Sequence, residues 1–343
     1  MEFRIPPLDE SAMDRARERQ QALTKPPGSL GRLERFATEI AGMTGDPTPE
    51  LGAAVIATVA GDHGVVEEGV SAFPQEVTAQ MVANLLHGGA AVNALADVTD
   101  ARNLVVDAGV ATAEYPGVED VAVETVAPGT DNIAEGPAMT REQAREALAV
   151  GRRIVTERAP GADIIGLGDM GIGNTTPSAA ITAAITGEPP EAVTDHGTGI
   201  DEETYEHKVA VVERALAADP PDPEDGLDVL RSVGGFEIGA LAGVALAGAS
   251  RRTPVVVDGF ITGAAALVAA RIEPAVTDYL LPSHSSVESG HAIQHDALGL
   301  DPLFDLDLRL GEGTGAALAV SVYRGACATL REMATFEEAG VST

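Results

Sequence analysis

The sequence predicts an α/β fold built on a parallel sheet covered on both faces. Short apolar, β-rich runs alternate with longer helix-like stretches, the order expected of parallel βαβ units. The runs lack the in–out alternation of a half-exposed strand. Val255-Val256-Val257 is apolar throughout, so both its faces are expected to be buried.

The strand runs are residues 53–60, 103–106, 163–167, 254–257 and 276–281. Each is followed by a glycine or polar cluster. These are Gly61-Asp62-His63-Gly64, Asp107-Ala108-Gly109, Gly168-Asp169-Met170-Gly171, Asp258-Gly259-Phe260 and Pro282-Ser283-His284-Ser285-Ser286. The helix-like stretches are 74–96, 141–157, 177–186, 201–217, 237–249 and 262–271. All the polar clusters therefore fall at the carboxyl ends of strands, the edge that carries ligands in open α/β sheets. The chain ends differ. Residues 1–39 are helix-like and charged, broken by Lys25-Pro26-Pro27-Gly28-Ser29-Leu30-Gly31, and the chain from about residue 301 again reads as helix. The ends, 1–45 and 301–343, are expected to pack as a small helical domain against a large domain of 46–300. The loop 310–316 would then lie at the junction. Residues 219–225 read as an acidic, proline-rich loop.

Composition narrows the function. With 343 residues, 45% of them apolar, the chain can build a full core. It has no apolar run of about 18 residues, so no membrane span is expected. The start, MEFRIPPLDE, lacks the basic and apolar parts of a signal peptide, which points to the cytoplasm. The single cysteine, Cys327, excludes an intrachain disulfide and lies in an apolar segment, as a core residue does. Acidic residues number 53 against 22 basic ones, a net charge of −31. Such a chain is a poor partner for nucleic acid, whose phosphates need a basic surface. It reads as a surface adapted to high salt. Only Lys25 and Lys208 are lysines, so each is worth following.

Several segments carry chemistry. Leu310-Gly311-Glu312-Gly313-Thr314-Gly315-Ala316-Ala317 sets one carboxylate among glycines ahead of an apolar helix-like run. Glu312 can act there as a general base, or merely favour the helix dipole. Gly166-Leu167-Gly168-Asp169-Met170-Gly171 has the GxGxxG spelling of a dinucleotide site. However, its loop runs on through Ile172-Gly173-Asn174-Thr175-Thr176 to Pro177, the expected first helical residue. That length disfavours an NAD-dependent oxidoreductase and suits a phosphate or sugar. Gly197-Thr198-Gly199 precedes the helix holding Lys208, which is either a phosphate ligand or a solvated lysine. His284, Glu288, His291 and His295 share one face if 285–298 is helical. A metal site is one reading, and a polar face of satisfied histidines the preferred one, because no Cys or Asp cluster completes the set. His63 is either a general acid or base, or a histidine that orders its loop. No P-loop is present.

Together these segments resemble the nicotinate-nucleotide–dimethylbenzimidazole phosphoribosyltransferase family. The resemblance rests on Thr24 to Glu34 (TKPPGSLGRLE), Gly61-Asp62-His63-Gly64-Val65, Ser71 to Thr78 (SAFPQEVT) with Gln80-Met81-Val82, and Gly171 to Thr176 (GIGNTT). It extends to Gly235-Phe236-Glu237-Ile238-Gly239, Val257-Asp258-Gly259-Phe260, Ser283 to Ser286 and Leu310 to Ala316. It implies a Rossmann-like parallel sheet with a small helical domain from both chain ends, a homodimer, and a reaction with no metal or redox cofactor. Nicotinate mononucleotide would give its phosphoribosyl group to 5,6-dimethylbenzimidazole. By the resemblance Glu312 is the catalytic carboxylate, Lys208 meets the phosphate, and Gln80 and Leu310 belong to the benzimidazole pocket. The other matching substrate-site positions are Asp169, Gly171, Gly173, Asn174, Thr175, Gly197, Asp258 and Ser286. Asp169 stands where the family commonly has a glutamate, and Asp195-His196 where a basic residue often precedes the Gly-Thr-Gly. A non-catalytic nucleotide-binding or sensor protein on the same fold is the competing reading, and the presence of Glu312 weighs against it.

Overall fold

The chain opens with two helices, α1 (Glu10–Ala22) and α2 (Arg32–Thr44). Asp9 caps the first, its carboxylate accepting the Ala12 N–H at 2.9 Å. The α/β part follows: β1 (Ala54–Gly61), α3 (Glu76–Leu86), α4 (Ala91–Val98), β2 (Ala101–Gly109), β3 (Ala122–Val123), α5 (Arg141–Arg153) and β4 (Ile164–Met170). Then come α6 (Thr175–Thr186), α7 (Pro190–Val193), α8 (Glu202–Ala218), α9 (Gly226–Val233), α10 (Phe236–Ser250), β5 (Val255–Val257), α11 (Phe260–Ile272) and β6 (Leu280–Pro282). The chain closes with β7 (His284–Ser286), α12 (Ser289–Leu298), β8 (Phe304–Leu308), α13 (Thr314–Glu332) and α14 (Phe336–Ala339). This computed structural model describes residues 2–112, 115, 122–195 and 202–342.

The main sheet has six parallel strands in the order β3-β2-β1-β4-β5-β6. The chain builds outward from β1 to β3, then crosses back to start the other half at β4. The strand order reverses between β1 and β4, so a crevice opens at their carboxyl ends, the switch point of a doubly wound sheet. β1 is buried along its whole length.

Helix α10 is buried at every position from Phe236 to Ala249 and crosses α5 almost backbone to backbone. Gly151 and Gly243 permit this. A β-carbon at Gly151 would stand 2.0 Å from the Ala240 carbonyl oxygen, and one at Gly243 2.2 Å from that of Leu148. Helix α13 runs from the sheet to the N-terminal helices. Its Tyr323 meets Phe36 of α2 edge-on, ring centroids 5.2 Å apart, while its first turns lie over β1, β4 and β5.

Three expectations need correction. Residues 276–281 form a strand only from Leu280; Pro274–Tyr279 is a 3-10 turn started by Pro274. The stretch 74–96 is two helices, broken where Gly88 turns left-handed at φ 78°. Residues 304–308, expected within a helical end, form β8, parallel to β7. The run Phe304-Asp305-Leu306-Asp307-Leu308 alternates apolar and acidic residues, a period of two that suits a strand. Finally, α9 is a helix that the periodicity does not announce. Asp225 caps it, accepting the N–H groups of Leu227 and Asp228 at 3.0 and 3.2 Å.

Candidate active site

The crevice at the β1–β4 switch point is lined by buried carboxylates. Asp62 follows β1, Asp169 ends β4, Asp258 follows β5, Glu237 opens α10, and Glu312 precedes α13. All five are 5% exposed or less.

The Glu312 turn lies directly on the sheet. Thr58 of β1 donates its hydroxyl to the Glu312 carbonyl oxygen at 3.0 Å. A β-carbon at Gly168 of β4 would meet that oxygen at 2.4 Å, and one at Gly313 would stand 2.5 Å from Ile56. Gly311, Glu312 and Gly313 all take positive φ: 78°, 63° and 92°. The glycines therefore serve a close approach as well as a turn. From below, Asp258 accepts the Ala316 N–H at 2.7 Å and receives further backbone hydrogen bonds from Gly315 and Gly313. It thereby satisfies the open amino end of α13. Burial pushes Asp258 up to about 8 despite those bonds, and the charge of Asp169 adds to the rise.

Asp169 accepts the Asn174 amide N–H at 2.9 Å through one oxygen. Burial pushes it up to about 7, the Asn174 hydrogen bond opposing and the charges of Glu237 and Glu312 adding. Burial also raises Glu312 above the ordinary glutamate value. One carboxylate oxygen on each of Asp62, Asp169, Glu237, Asp258 and Glu312 lacks a hydrogen-bond partner among the described residues. An unsatisfied buried polar atom is costly, on the order of 1–3 kcal/mol. Five such oxygens around one crevice make it a place that favours positive charge and accepts protons.

Lys208 reaches in from α8. It is 2% exposed, and its ammonium donates to the Thr175 hydroxyl at 2.9 Å and the Asp195 carbonyl at 3.1 Å. Burial pushes its pKa down, while the charges of Glu288 and Asp195 oppose the fall. It therefore sits beside the amino end of α6, where Thr175 is the first residue, two places before the expected Pro177. A lysine at a helix amino terminus makes a local environment that favours negative charge. Asp169, Asn174, Thr175, Ser286, Leu310 and Gly311 line a common cavity of about 80 Å³ with Phe260, His284 and Glu288. At about 30 Å³ per water, this cavity holds a few waters, and Leu310 among its lining residues is exposed.

The remaining positions divide. Gly171 closes on β1, since its β-carbon would meet the Gly61 carbonyl at 2.4 Å. Gly173 is left-handed at φ 85° against Val66. Gln80 is exposed on α3 and does not line the cavity. Gly197 lies outside the described residues. Lys25 is paired with Glu34 at 2.8 Å and holds its own turn. His284 belongs to β7 rather than to the α12 face, and it bonds Ser283 at 3.0 Å. His291 accepts the Ser286 N–H at 3.0 Å and packs against His295, ring centroids 4.0 Å apart and planes tilted by 44°. Burial pushes His284 down to about 4 and lowers His291 and His295 as well. Among the described residues no group of three His, Cys, Asp or Glu side chains is placed to hold a metal. Sequence reasoning missed the partnership of His63 with Glu237, whose Nε2 and Oε1 lie 2.9 Å apart with both side chains buried. Their 174-residue separation leaves no local signal.

Fold and site together define a doubly wound α/β protein with a carboxylate-lined crevice beside a buried lysine at a helix amino end. Known proteins match it along nearly its whole length. A family model described as phosphoribosyltransferase covers residues 5–341. The nicotinate-nucleotide–dimethylbenzimidazole phosphoribosyltransferase of Chloroflexus aggregans is 54% identical over 339 residues, 98% of this chain and 96% of that protein. The protein of the same name from Roseiflexus sp. is 54% identical over 340 residues, 99% and 96% of the two chains. A crystal structure of that enzyme from Thermus thermophilus superposes with a TM-score of 0.90 at 48% identity, covering 98% of this chain and 100% of that one. The chain belongs to the nicotinate-nucleotide–dimethylbenzimidazole phosphoribosyltransferase family.

Proposed function

We propose that the protein transfers the phosphoribosyl group of nicotinate mononucleotide to 5,6-dimethylbenzimidazole or a related base. The products are α-ribazole 5′-phosphate and nicotinate, for assembly of the cobalamin nucleotide loop. The observation that carries this reading is Glu312, a buried carboxylate with one unpartnered oxygen, held over the β1–β4 crevice.

The pyridinium C1′–N bond breaks with its electron pair going to the departing nicotinate nitrogen. C1′ gains oxocarbenium character and is taken by a benzimidazole nitrogen from the opposite face, which turns the β-nucleotide into an α-riboside. The other ring nitrogen becomes acidic as the new bond forms, and Glu312 accepts its proton. The half-partnered carboxylate of Glu312 favours the positive charge that develops between the two rings. Lys208, Thr175 and the amino end of α6 hold the phosphate. Asp169 and Asn174 face the ribose, with Gly171, Gly173 and Ser286 shaping the loops around it. Leu310 and Gln80 belong to the base pocket. Asp258 has no exposed surface, so we assign it to holding the Glu312 turn rather than to touching substrate.

This reading also carries a division into a large domain of 46–300 and a small helical one of 1–45 with 301–343, a homodimer, and a cytoplasmic, salt-adapted protein. Light scattering of the purified chain tests the dimer. No helix among the described residues is long and apolar enough to cross a membrane. The test of function is mass analysis of products from nicotinate mononucleotide with a panel of benzimidazoles, purines and phenols. The expected result is nicotinate release with a new phosphoriboside. Mononucleotide binding with no product from any base would favour the sensor reading.

A further inference from the structure

We propose that His284 is a further substrate-contacting residue, a neutral imidazole whose Nε2 accepts a hydrogen bond from a ribose hydroxyl of the mononucleotide. The inference rests on the function proposed above.

The ring's neighbours place its proton. Ser283 is fully buried, and its hydroxyl donates to the Asp258 main-chain carbonyl at 2.7 Å. A hydroxyl carries one proton, and a carbonyl can only accept. The Ser283 oxygen, 3.0 Å from His284 Nδ1, is therefore left as the acceptor, and Nδ1–H donates to it. The neutral ring then carries no proton on Nε2. Burial favours that neutral ring, pushing His284 down to about 4. The fold also builds a seat for it. A β-carbon at Gly315 would stand 2.0 Å from Nδ1 and 2.6 Å from Cε1, so the last glycine of the Glu312 turn makes room for this imidazole.

The bare nitrogen faces the cavity. Nε2 lies on the Gly259 side of the ring, 3.9 Å from where a β-carbon there would stand. Gly259 and His284 both line the cavity, with Asp169, Asn174, Thr175 and Ser286. Among the described residues, the ring nitrogens enclosed without a partner are His63 Nδ1, His291 Nε2 and His295 Nε2, and neither nitrogen of His284 is one of them. His291 makes the contrast. Its Nδ1 accepts the Ser286 N–H, which leaves its proton on an enclosed Nε2. His284 instead gives its donor to the protein and keeps its acceptor for the cavity. Ligand chemistry then selects the partner. At neutral pH the carboxylate and phosphate of nicotinate mononucleotide are acceptors, and its ribose hydroxyls are donors. The N–H of dimethylbenzimidazole already has Glu312. A neutral acceptor also holds a hydroxyl without adding charge to a crevice lined by carboxylates.

Steady-state kinetics of wild type and His284→Ala, with nicotinate mononucleotide and its 2′-deoxy and 3′-deoxy analogues, test the contact. In wild type, removing the hydroxyl that His284 holds should lower kcat/KM by about tenfold, because Nε2 loses its donor. In His284→Ala that analogue and the parent should differ by no more than about twofold. Wild-type penalties carried over unchanged for both analogues would overturn the proposal. So would a loss confined to the KM of dimethylbenzimidazole. Nitrogen NMR of the wild-type protein is the second measurement and needs no variant to fold. At neutral pH the His284 ring should be protonated on Nδ1 only, and nicotinate mononucleotide should shift its Nε2 resonance. The opposite tautomer, or an Nε2 resonance that stays put or moves equally with inorganic phosphate, would overturn the proposal. If wild type makes no phosphoriboside, the proposed function fails, while this titration still tests the contact.

Discussion

Glu312 takes φ 63° between two glycines that are also left-handed. A β-carbon in that region costs roughly 1–2 kcal/mol, and nothing about a turn requires glutamate there. A strained, buried carboxylate with an unpartnered oxygen is a mark of function. Glu312→Gln keeps size and removes the basic oxygen. Turnover should fall about 10²-fold or more, with mononucleotide affinity and Tm close to wild type; near-normal turnover would return Glu312 to the role of a helix cap. Lys208→Ala removes a charge-assisted contact worth about 1.5–3 kcal/mol. Titration calorimetry should find mononucleotide binding weaker by about tenfold to a hundredfold and benzimidazole binding unchanged. Equal loss for both ligands would count against the phosphate assignment. Asp169 supplies the pH test. Its folded value of about 7 lies above the ordinary aspartate value of 3.8, so the native state holds the extra proton between them. Stability is therefore lost as pH rises through that window, and the penalty is complete above 7. Asp169→Asn should raise Tm by about 2–4 °C near pH 8 and leave it unchanged near pH 4, while lowering turnover. An equal change at both values would remove the raised carboxyl.

Elements meet through glycines in two places, with different expected consequences. At the α5–α10 crossing, Gly243→Ala places a methyl against the Leu148 carbonyl. Overpacking of this kind typically costs about 1–3 kcal/mol, so Tm should fall while kcat of the folded enzyme stays near wild type. At the seam of β4 with the Glu312 turn, Gly168→Ala places a methyl against the Glu312 backbone. Here the Glu312 turn must lift from the sheet, and if Glu312 acts as proposed a shift of this order lowers kcat by about 10²-fold. Stopped-flow turnover beside thermal melts separates the two. Both variants losing only stability would mean that the turn does not need its seat on β4.

At the scale of the whole molecule the dominant quantity is a net charge of −31. The exposed ion pairs are individually weak, and the uncompensated acids repel one another through water. Salt screens that repulsion within a Debye length of roughly 10 Å at 0.1 M and 3 Å at 1 M. Thermal melts should therefore shift upward from low to molar KCl. A midpoint that is flat or falling across the series would remove the salt-adapted reading of the surface.

Local sequence alone determined the alternation of strands and helices, the polar clusters at the strand ends, the glycine turn around Glu312 and the long glycine-threonine loop before α6. These follow from periodicity, from turn chemistry and from the few residues able to take positive φ, all of which act over a few positions. Tertiary structure decided what those clusters meet. The sheet order places β1 beside β4, and that adjacency makes one crevice of Asp62, Asp169 and Glu312. His63 finds Glu237 174 residues away, and Asp258 reaches the start of α13 across 58. Strand β8 alternates Asp and Leu, and its pairing with β7 settled a segment expected to be helix. The reason is physical: short-range preferences are fractions of a kcal/mol per residue, whereas a buried carboxylate chooses its neighbours by burial and charge, which exist only once distant segments have packed.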